Sequence, residues 1–315
     1  MTALASIRHK LKFYLTITLG TLFFLAMGIG LLMMYLDHSN NNELKPNEQF
    51  IPFFSMGLFI LAFYTIYKYY KNAPKILIDN SGISFNNKTF AFSDLDHIDL
   101  TGKRSFPYLV GFQMEAATLQ FKDGQTKYIF DDMYENSWQM KSFLKQVVID
   151  KKDFAIQSSN EIDNSELERE YYDTFKGNQF ISLRGILLWG FIGFFTYTVL
   201  TSQKRHNMTS FFIYVSACLI WFFLHSLTMN YFEVSQNFLV VKNHNLLWRK
   251  RAYRLLDIKE ITFETQGKMP NCLRVITNDF RNKLFLAGTL SDKTWLELKD
   301  KLEGDNIKVR NECIR

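Results

Sequence analysis

The chain has 315 residues, 37 Lys and Arg against 31 Asp and Glu, a net charge of +6 and a mean hydropathy of -0.10. Three cysteines, Cys218, Cys272 and Cys313, are too few and too scattered for a disulfide framework or a cysteine-built metal site. The average hydropathy conceals four blocks without a formal charge, 13–36, 50–67, 185–203 and 208–232, each long enough for the roughly 20 apolar residues that cross a bilayer as a helix, which excludes a purely soluble chain.

In chain order, the first block is too long for a cleaved leader and lacks a small-residue cleavage site, so it is read as a membrane helix. Arg8, Lys10 and Lys12 precede it and Lys68, Lys71 and Lys75 follow the second block, whereas Lys45 faces Asp37, Glu43 and Glu48 in the loop between. Positive flanks stay in the cytoplasm. The chain is therefore expected in the inner, cytoplasmic membrane as a multi-pass protein with both termini and both soluble regions inside. The same topological rule accounts for the net charge without nucleic acid. Lys204 and Arg205, in the loop of the second helical pair, run against the rule and leave open whether that pair spans fully.

After the first pair, "PKILIDNSGISFNNKTFAFSDLDHIDL" reads as short strands parted by tight turns, with Gly82 expected to supply the positive φ of a hairpin. "FNNK" and "KDGQ" are further turns. A helix-like run with Trp138 closes the unit. Residues 151–178 form an acidic linker in which Ser165 and Glu168 have capping-box spacing. A second copy follows the fourth block: "LIDNSGIS" lies over "VVKNHNLL" and "SDLDHI" over "LLDIKEI", at an offset of 163, and Trp295 marks a second closing helix. The expected division is 1–72 for the N-terminal segment and first hairpin, 73–150, the linker 151–178, the second hairpin 179–230, and 231–315.

The segments "ILIDNSGISF" with "FSDLDHI", and "FEVSQNFLVV" with "LLDIKEI", resemble the strand–turn–strand and following strand of bacterial pleckstrin-homology-like membrane proteins. That resemblance implies two transmembrane helical hairpins, each followed by a small antiparallel β-barrel closed by a C-terminal helix. It implies a fold and a membrane location, and for function it gives no more than a hint of binding.

The most distinctive polar stretch is "WRKRAYR". Read as a strand, it sends Arg249, Arg251 and Tyr253 to one face and Trp248, Lys250 and Arg254 to the other, which suits an edge beside the membrane rather than a core. Arg249, Lys250, Arg251 and Arg254 are candidate contacts for anionic lipid headgroups, against the alternative of a solvated charged strand. Lys103 and Arg104, in a predicted loop, are weaker anion candidates. "TGKRS" is not a nucleotide loop, because Arg104 stands where Ser or Thr is required and His97 where a glycine is. His225 is the titratable side chain deep in an apolar block, and interhelical hydrogen bonding is the simpler role for it than a proton relay, which needs partners. Small residues, Ala26, Gly30, Gly20, Gly28, Gly190 and Gly193, permit close helix packing within or between chains. Asp94, Asp96, His97 and Asp99 read as a solvated strand end, since Asp94 and Asp96 point opposite to His97 and Asp99.

No catalytic constellation, metal motif or cofactor fingerprint is expected, and the leading reading is a non-enzymatic scaffold or accessory subunit that binds membrane lipids and a protein partner or itself. A transporter or channel component is the alternative, and a membrane enzyme the third.

Overall fold

In the computed structural model, which describes residues 3–109, 111–156, 162–201 and 208–314, the chain divides into two units, Met1–Ile156 and Gln157–Arg315. The first runs β1 (Leu4–Ala5), α1 (Thr16–Asn40), α2 (Ile51–Asn72), β2 (Ile76–Ile78), β3 (Gly82–Phe85), β4 (Lys88–Ala91), β5 (Leu95–Asp99), β6 (Lys103–Phe106), β7 (Phe112–Phe121), β8 (Thr126–Phe130) and α3 (Ser137–Phe143). The second runs α4 (Asn164–Glu168), β9 (Asp173–Phe175), α5 (Leu183–Thr201), α6 (Met208–Ser226), β10 (Asn230–Val234), β11 (Phe238–Asn243), β12 (Arg251–Arg254), β13 (Ile258–Glu264), β14 (Cys272–Thr277), β15 (Asn282–Leu286), α7 (Asp292–Gly304) and β16 (Val309–Asn311).

Four helical segments, Lys10–Asn40, Pro46–Asn72, Leu183–Thr201 and Met208–Ser226, are long and apolar enough to cross a membrane. A 19-residue helix reaches about 28 Å at the standard rise, close to a hydrocarbon core. The fourth block ends at Ser226 rather than at Phe232, because Tyr231 and Phe232 belong to β10. Within the first pair, Ser55 Oγ donates to Gly28 O at 2.7 Å, and a Cβ on Gly28 would meet the Phe59 ring at 2.7 Å. Gly28 is therefore the close-packing residue, whereas a Cβ on Gly30, Gly190 or Gly193 would meet nothing. In the second pair, Thr196 and Tyr214 share a hydrogen bond of 2.7 Å, and Trp221 Nε1 donates to Leu187 O at 3.1 Å.

The helical hairpin is inserted between the first two strands of its sheet. Leu4 pairs with Ile78 across β1 and β2, and Phe175 pairs with Phe232 across β9 and β10. The segment before each membrane hairpin is thus the edge of the sheet that follows it. Part of the linker takes part in this, since α4 and β9 fall in the second unit, and Asp163, not Ser165, caps α4.

Two sheets follow in each unit, ordered β1-β2-β3-β4 and β5-β7-β6 with β8 on β7, then β9-β10-β11-β12 and β16-β13-β14-β15. All named ladders are antiparallel except β13–β16. None of these sheets closes on itself, so the expected closed barrel is corrected to two open sheets that turn a corner at Phe92–Asp94 and Leu255–Asp257.

The ladders repeat between units. Ile78↔Ile83 recurs as Val234↔Leu239, and the register slip between Leu95 and His97 recurs between Ile258 and Glu260. The turn bond from Phe121 N to Gln125 O recurs from Thr277 N to Arg281 O, both 2.9 Å. One offset does not serve throughout: 163 holds from β4 and β12 through the corner, but the hairpin before it pairs "ILIDNSGISF" with "FEVSQNFLVV". The reason is the β3–β4 turn of two residues, Asn86 and Asn87, against the longer connection 244–250.

Asn86 and Gly124 carry the positive φ of their turns, at 53° and 80°, but Gly82 does not. A Cβ there would lie 2.4 Å from Phe90 O, so close approach of backbone, not turn conformation, requires the glycine. In both copies the turn is held by the residue that opens it: the Asp79 carboxylate accepts from Ser81 N and Gly82 N, and Ser235 Oγ accepts from Asn237 N and Phe238 N.

The second core gathers Phe232, Leu239, Phe263, Val275, Leu298 and Leu302 around Trp295, whose ring lies 4.8 Å from Phe263 and 5.7 Å from Phe232. Trp138 does not anchor its helix in this way. It is half-buried, and Met140, Phe143 and Leu144 point inward instead. Counted from the matched residues Asp131 and Ala287, whose amides donate to the equivalent carbonyls of Glu115 and Asn271, the two tryptophans differ by one step. On a helix one step is a turn of about 100°, enough to move a side chain off the core face. The first unit also buries an ion pair, Lys141 Nζ to Asp131 Oδ1 at 2.5 Å, and the second buries Arg274 with Glu264 at 2.8 Å.

Candidate membrane-surface site

The basic stretch of the second unit is not one continuous strand. β12 begins only at Arg251, and residues 244–250 form a loop, so the expected alternation from Trp248 is replaced by a turn. The sequence explains why. Asn243 ends β11 and its Oδ1 accepts from Asn245 N and Leu246 N, turning the chain, and Leu246 is buried beneath.

This loop starts at the root of a membrane helix. Asn243 Nδ2 donates to Ser226 O at 2.7 Å, Asn245 Nδ2 to Ser226 Oγ at 2.9 Å, and His244 N to Met229 O at 3.0 Å. Ser226 is the last residue of α6. From that anchor the chain presents Leu247 and Trp248, 80% and 74% exposed, followed by exposed Arg249, Lys250 and Arg251. None of the three cations has a carboxylate partner among the described residues. Arg254 differs: its guanidinium binds Glu166 at 3.0 Å and is turned toward α4.

A second loop, which sequence reading missed, ends at the same place. Ala287 N donates to Asn271 O and Gly288 N to Thr228 O, so residues 265–271 also return to the helix root. Lys268 and Met269 are exposed on it, Met269 at 52%. The signal was there in "QGKMPN": Gly267 turns with φ of 59°, and a cation and an apolar side chain sit at the tip. Below the first loop, His244 is held against Tyr231, with ring centroids 4.9 Å apart, and near Thr289 at 3.3 Å. Burial, and then the charge of Lys176, hold its imidazole below the ordinary histidine value, so it stands neutral.

In the first unit the anion candidates fall elsewhere. Lys103 and Arg104 lie on strand β6, not in a loop, and Arg104 is committed to Thr118 Oγ1 at 2.7 Å and Asp99 at 3.2 Å. The β6–β7 hairpin leans instead on its own membrane helix: Tyr108 OH bonds Thr65 Oγ1 at 2.6 Å and Asn72 Nδ2 donates to Pro107 O at 2.6 Å. His97 and Asp99 share a face, 3.0 Å apart, on the solvent side of β5.

His225 sits in the last turn of α6, at the root rather than deep in the span, with its ring 4.2 Å from that of Trp221. Lys204 and Arg205 lie outside the described residues. Among the described residues no group of three His, Cys, Asp or Glu side chains gathers to hold a metal ion.

What the fold and the site define is a chain of helical hairpins long and apolar enough to cross a membrane, carrying open, largely antiparallel sheets, with a cationic and aromatic rim at the root of the second hairpin. No family model matches the chain, and no curated protein matches it significantly.

Proposed function

We propose that the protein is a non-enzymatic membrane scaffold whose sheet modules, of the pleckstrin-homology-like kind that its strand pattern resembles, lie on the cytoplasmic face of the inner membrane. The second module reads the lipid surface. Leu247 and Trp248 enter the headgroup layer, where an aromatic ring with a polar edge is favoured, and Arg249, Lys250 and Arg251 neutralise anionic headgroups. The observation that carries this reading is the exposure of two large apolar side chains beside three cations that have no carboxylate partner among the described residues, on a loop bonded to the end of an apolar helix. In a soluble setting such a tip would be a liability. Next to a bilayer it is a foot.

Cations near an anionic surface contribute about 1 kcal/mol each, so three of them favour the docked loop by on the order of 100-fold. The test is hydrogen exchange of the full-length protein in nanodiscs of phosphatidylcholine, with and without phosphatidylglycerol. Residues 244–252 gain protection with the anionic lipid, and the combined change Arg249→Gln, Lys250→Gln and Arg251→Gln removes the gain. Equal exchange in the two bilayers refutes lipid reading by this loop.

A further inference from the structure

The two units repeat the same ladders, so each serves as a control for the other. Between its edge strands β4 and β8, the first unit is filled. Phe90 stacks on Phe121 with centroids 4.3 Å apart, and Lys88 Nζ donates to Gln125 Oε1 at 3.1 Å across the gap. The matched registers put Tyr253 in the place of Phe90, Arg251 in that of Lys88, Thr277 in that of Phe121 and Arg281 in that of Gln125. One of the two stacked rings has become a threonine. A lysine–glutamine bond has become two facing cations.

The consequence is a cleft of about 920 Å³ between β12 and strands β14 and β15, with Ala252, Tyr253 and Val275 along its walls. Among the described residues, Lys250, Arg251, Arg254, Arg281 and Lys283 line it together with two carboxylates, Asp257 and Asp279. Asp279 is engaged by Arg281 at 3.0 Å, and Arg254 by Glu166, and the described lining still carries more cations than carboxylates. Among the described residues β12 pairs only with β11, and β15 only with β14. Both strands therefore offer an unused row of backbone donors and acceptors to whatever enters.

We propose that this cleft binds an extended, acidic peptide segment of a partner protein, added as a strand along β12. Strand addition is what a free edge favours: main-chain hydrogen bonds hold the peptide, and every second side chain faces a wall. Here one set of alternate side chains meets Arg251 and Tyr253, and the other meets Ala252 and Arg254, so each set finds a cation beside a less polar wall. A compact phosphate group would use the cations alone and leave the edges and the apolar walls idle.

The experiment uses the full-length protein in phosphatidylcholine nanodiscs, without anionic lipid, at physiological salt. The probe is a fluorescein-labelled peptide of alternating Glu and Val, followed by anisotropy. Saturable binding is expected. Lys283→Glu, on the wall remote from the loop 244–250, weakens it about tenfold, the loss of roughly one charge-assisted hydrogen bond. Thr277→Phe restores the ring of the first unit and abolishes binding while leaving every charge in place. A peptide N-methylated at alternate amides binds at least tenfold more weakly. Absence of saturable binding overturns the proposal, as does binding indifferent to Lys283→Glu or to N-methylation. If inorganic pyrophosphate displaces the probe and the N-methylated peptide binds as well as the plain one, the cleft is a phosphoanion site and the strand-addition reading falls. Lys283 is exposed, so its reversal tests the cleft even if Thr277→Phe disturbs folding.

Discussion

At position 82 the constraint is steric. Its φ is not in the left-handed region, yet the Phe90 carbonyl lies where the first atom of any side chain would go, at 2.4 Å. The matched place in the second unit holds Phe238, which is buried with Val240 beneath Leu167 of α4. The same hairpin thus tolerates a large side chain where a covering segment gives it a pocket, and none where the neighbouring strand approaches too closely. Gly82→Ala is expected to force β3 and β4 apart, at a cost of about 1–3 kcal/mol. The readout is hydrogen exchange over residues 76–91, which rises in the variant, while the membrane helices keep their protection. An unchanged profile means that the strand gives way freely and the close approach is not what demands glycine.

Among the elements, the segment from α4 to β9 shows what a sequence conceals. Long uncharged blocks revealed the four helices, because lipid imposes length and composition together. Turns were legible where local chemistry sets them, at Asn86 and Gly124. β1 and β9 were not, being two and three residues long, too short for any periodicity. They exist only because β2 and β10 offer them an edge. Residues 248–250 read as the start of a strand for the opposite reason, since their alternating charges imitate one, while the Asn243 turn before them is bonded to Ser226. The acidic linker is a strap: Leu167 is buried with Phe238 and Val240, Glu166 holds Arg254, and Glu170 accepts from Asn237 Nδ2 at 2.6 Å. The hydrogen bond from Asn237, then that from Ser235, holds the Glu170 carboxyl below the usual carboxylate range. A carboxylate depressed in the folded state stabilises above its unfolded value of about 4.3 and loses that contribution as pH falls through the folded value. Acidification from neutral pH to below about 4 is therefore expected to loosen residues 162–172, seen as hydrogen exchange in excess of the intrinsic pH effect. Glu170→Gln should flatten that pH dependence. A strap that exchanges alike at both pH values, once corrected, is not held through this carboxylate.

For the whole molecule, the pairing of β1 with β2 and of β9 with β10 limits the paths the chain can take through a bilayer. A strand that leads into α1 and the strand that leads out of α2 are hydrogen-bonded neighbours, Leu4 to Ile78, so the first helical pair leaves and re-enters on one side. The same holds for α5 and α6, through Phe175 and Phe232. Backbone pairing of this kind cannot be divided by a hydrocarbon layer. The strand pairing outweighs the charge of Lys204 and Arg205, which by the positive-inside rule alone would pull their loop toward the cytoplasm. The prediction is read by thiol labelling with a membrane-impermeant reagent in sealed vesicles, with Cys218 and Cys313 replaced. Cys272 is left in place, since burial, with Glu264 beside it, pushes its thiol up to about 12 and keeps it unreactive. Asn42→Cys and Asp123→Cys should label from opposite faces, and so should Lys204→Cys and Asp300→Cys. If Lys204→Cys and Asp300→Cys react from the same face, α5 and α6 do not cross. The second hairpin then lies along the interface, its root gives no fixed height to Trp248, and the lipid-reading loop loses the geometry on which it depends.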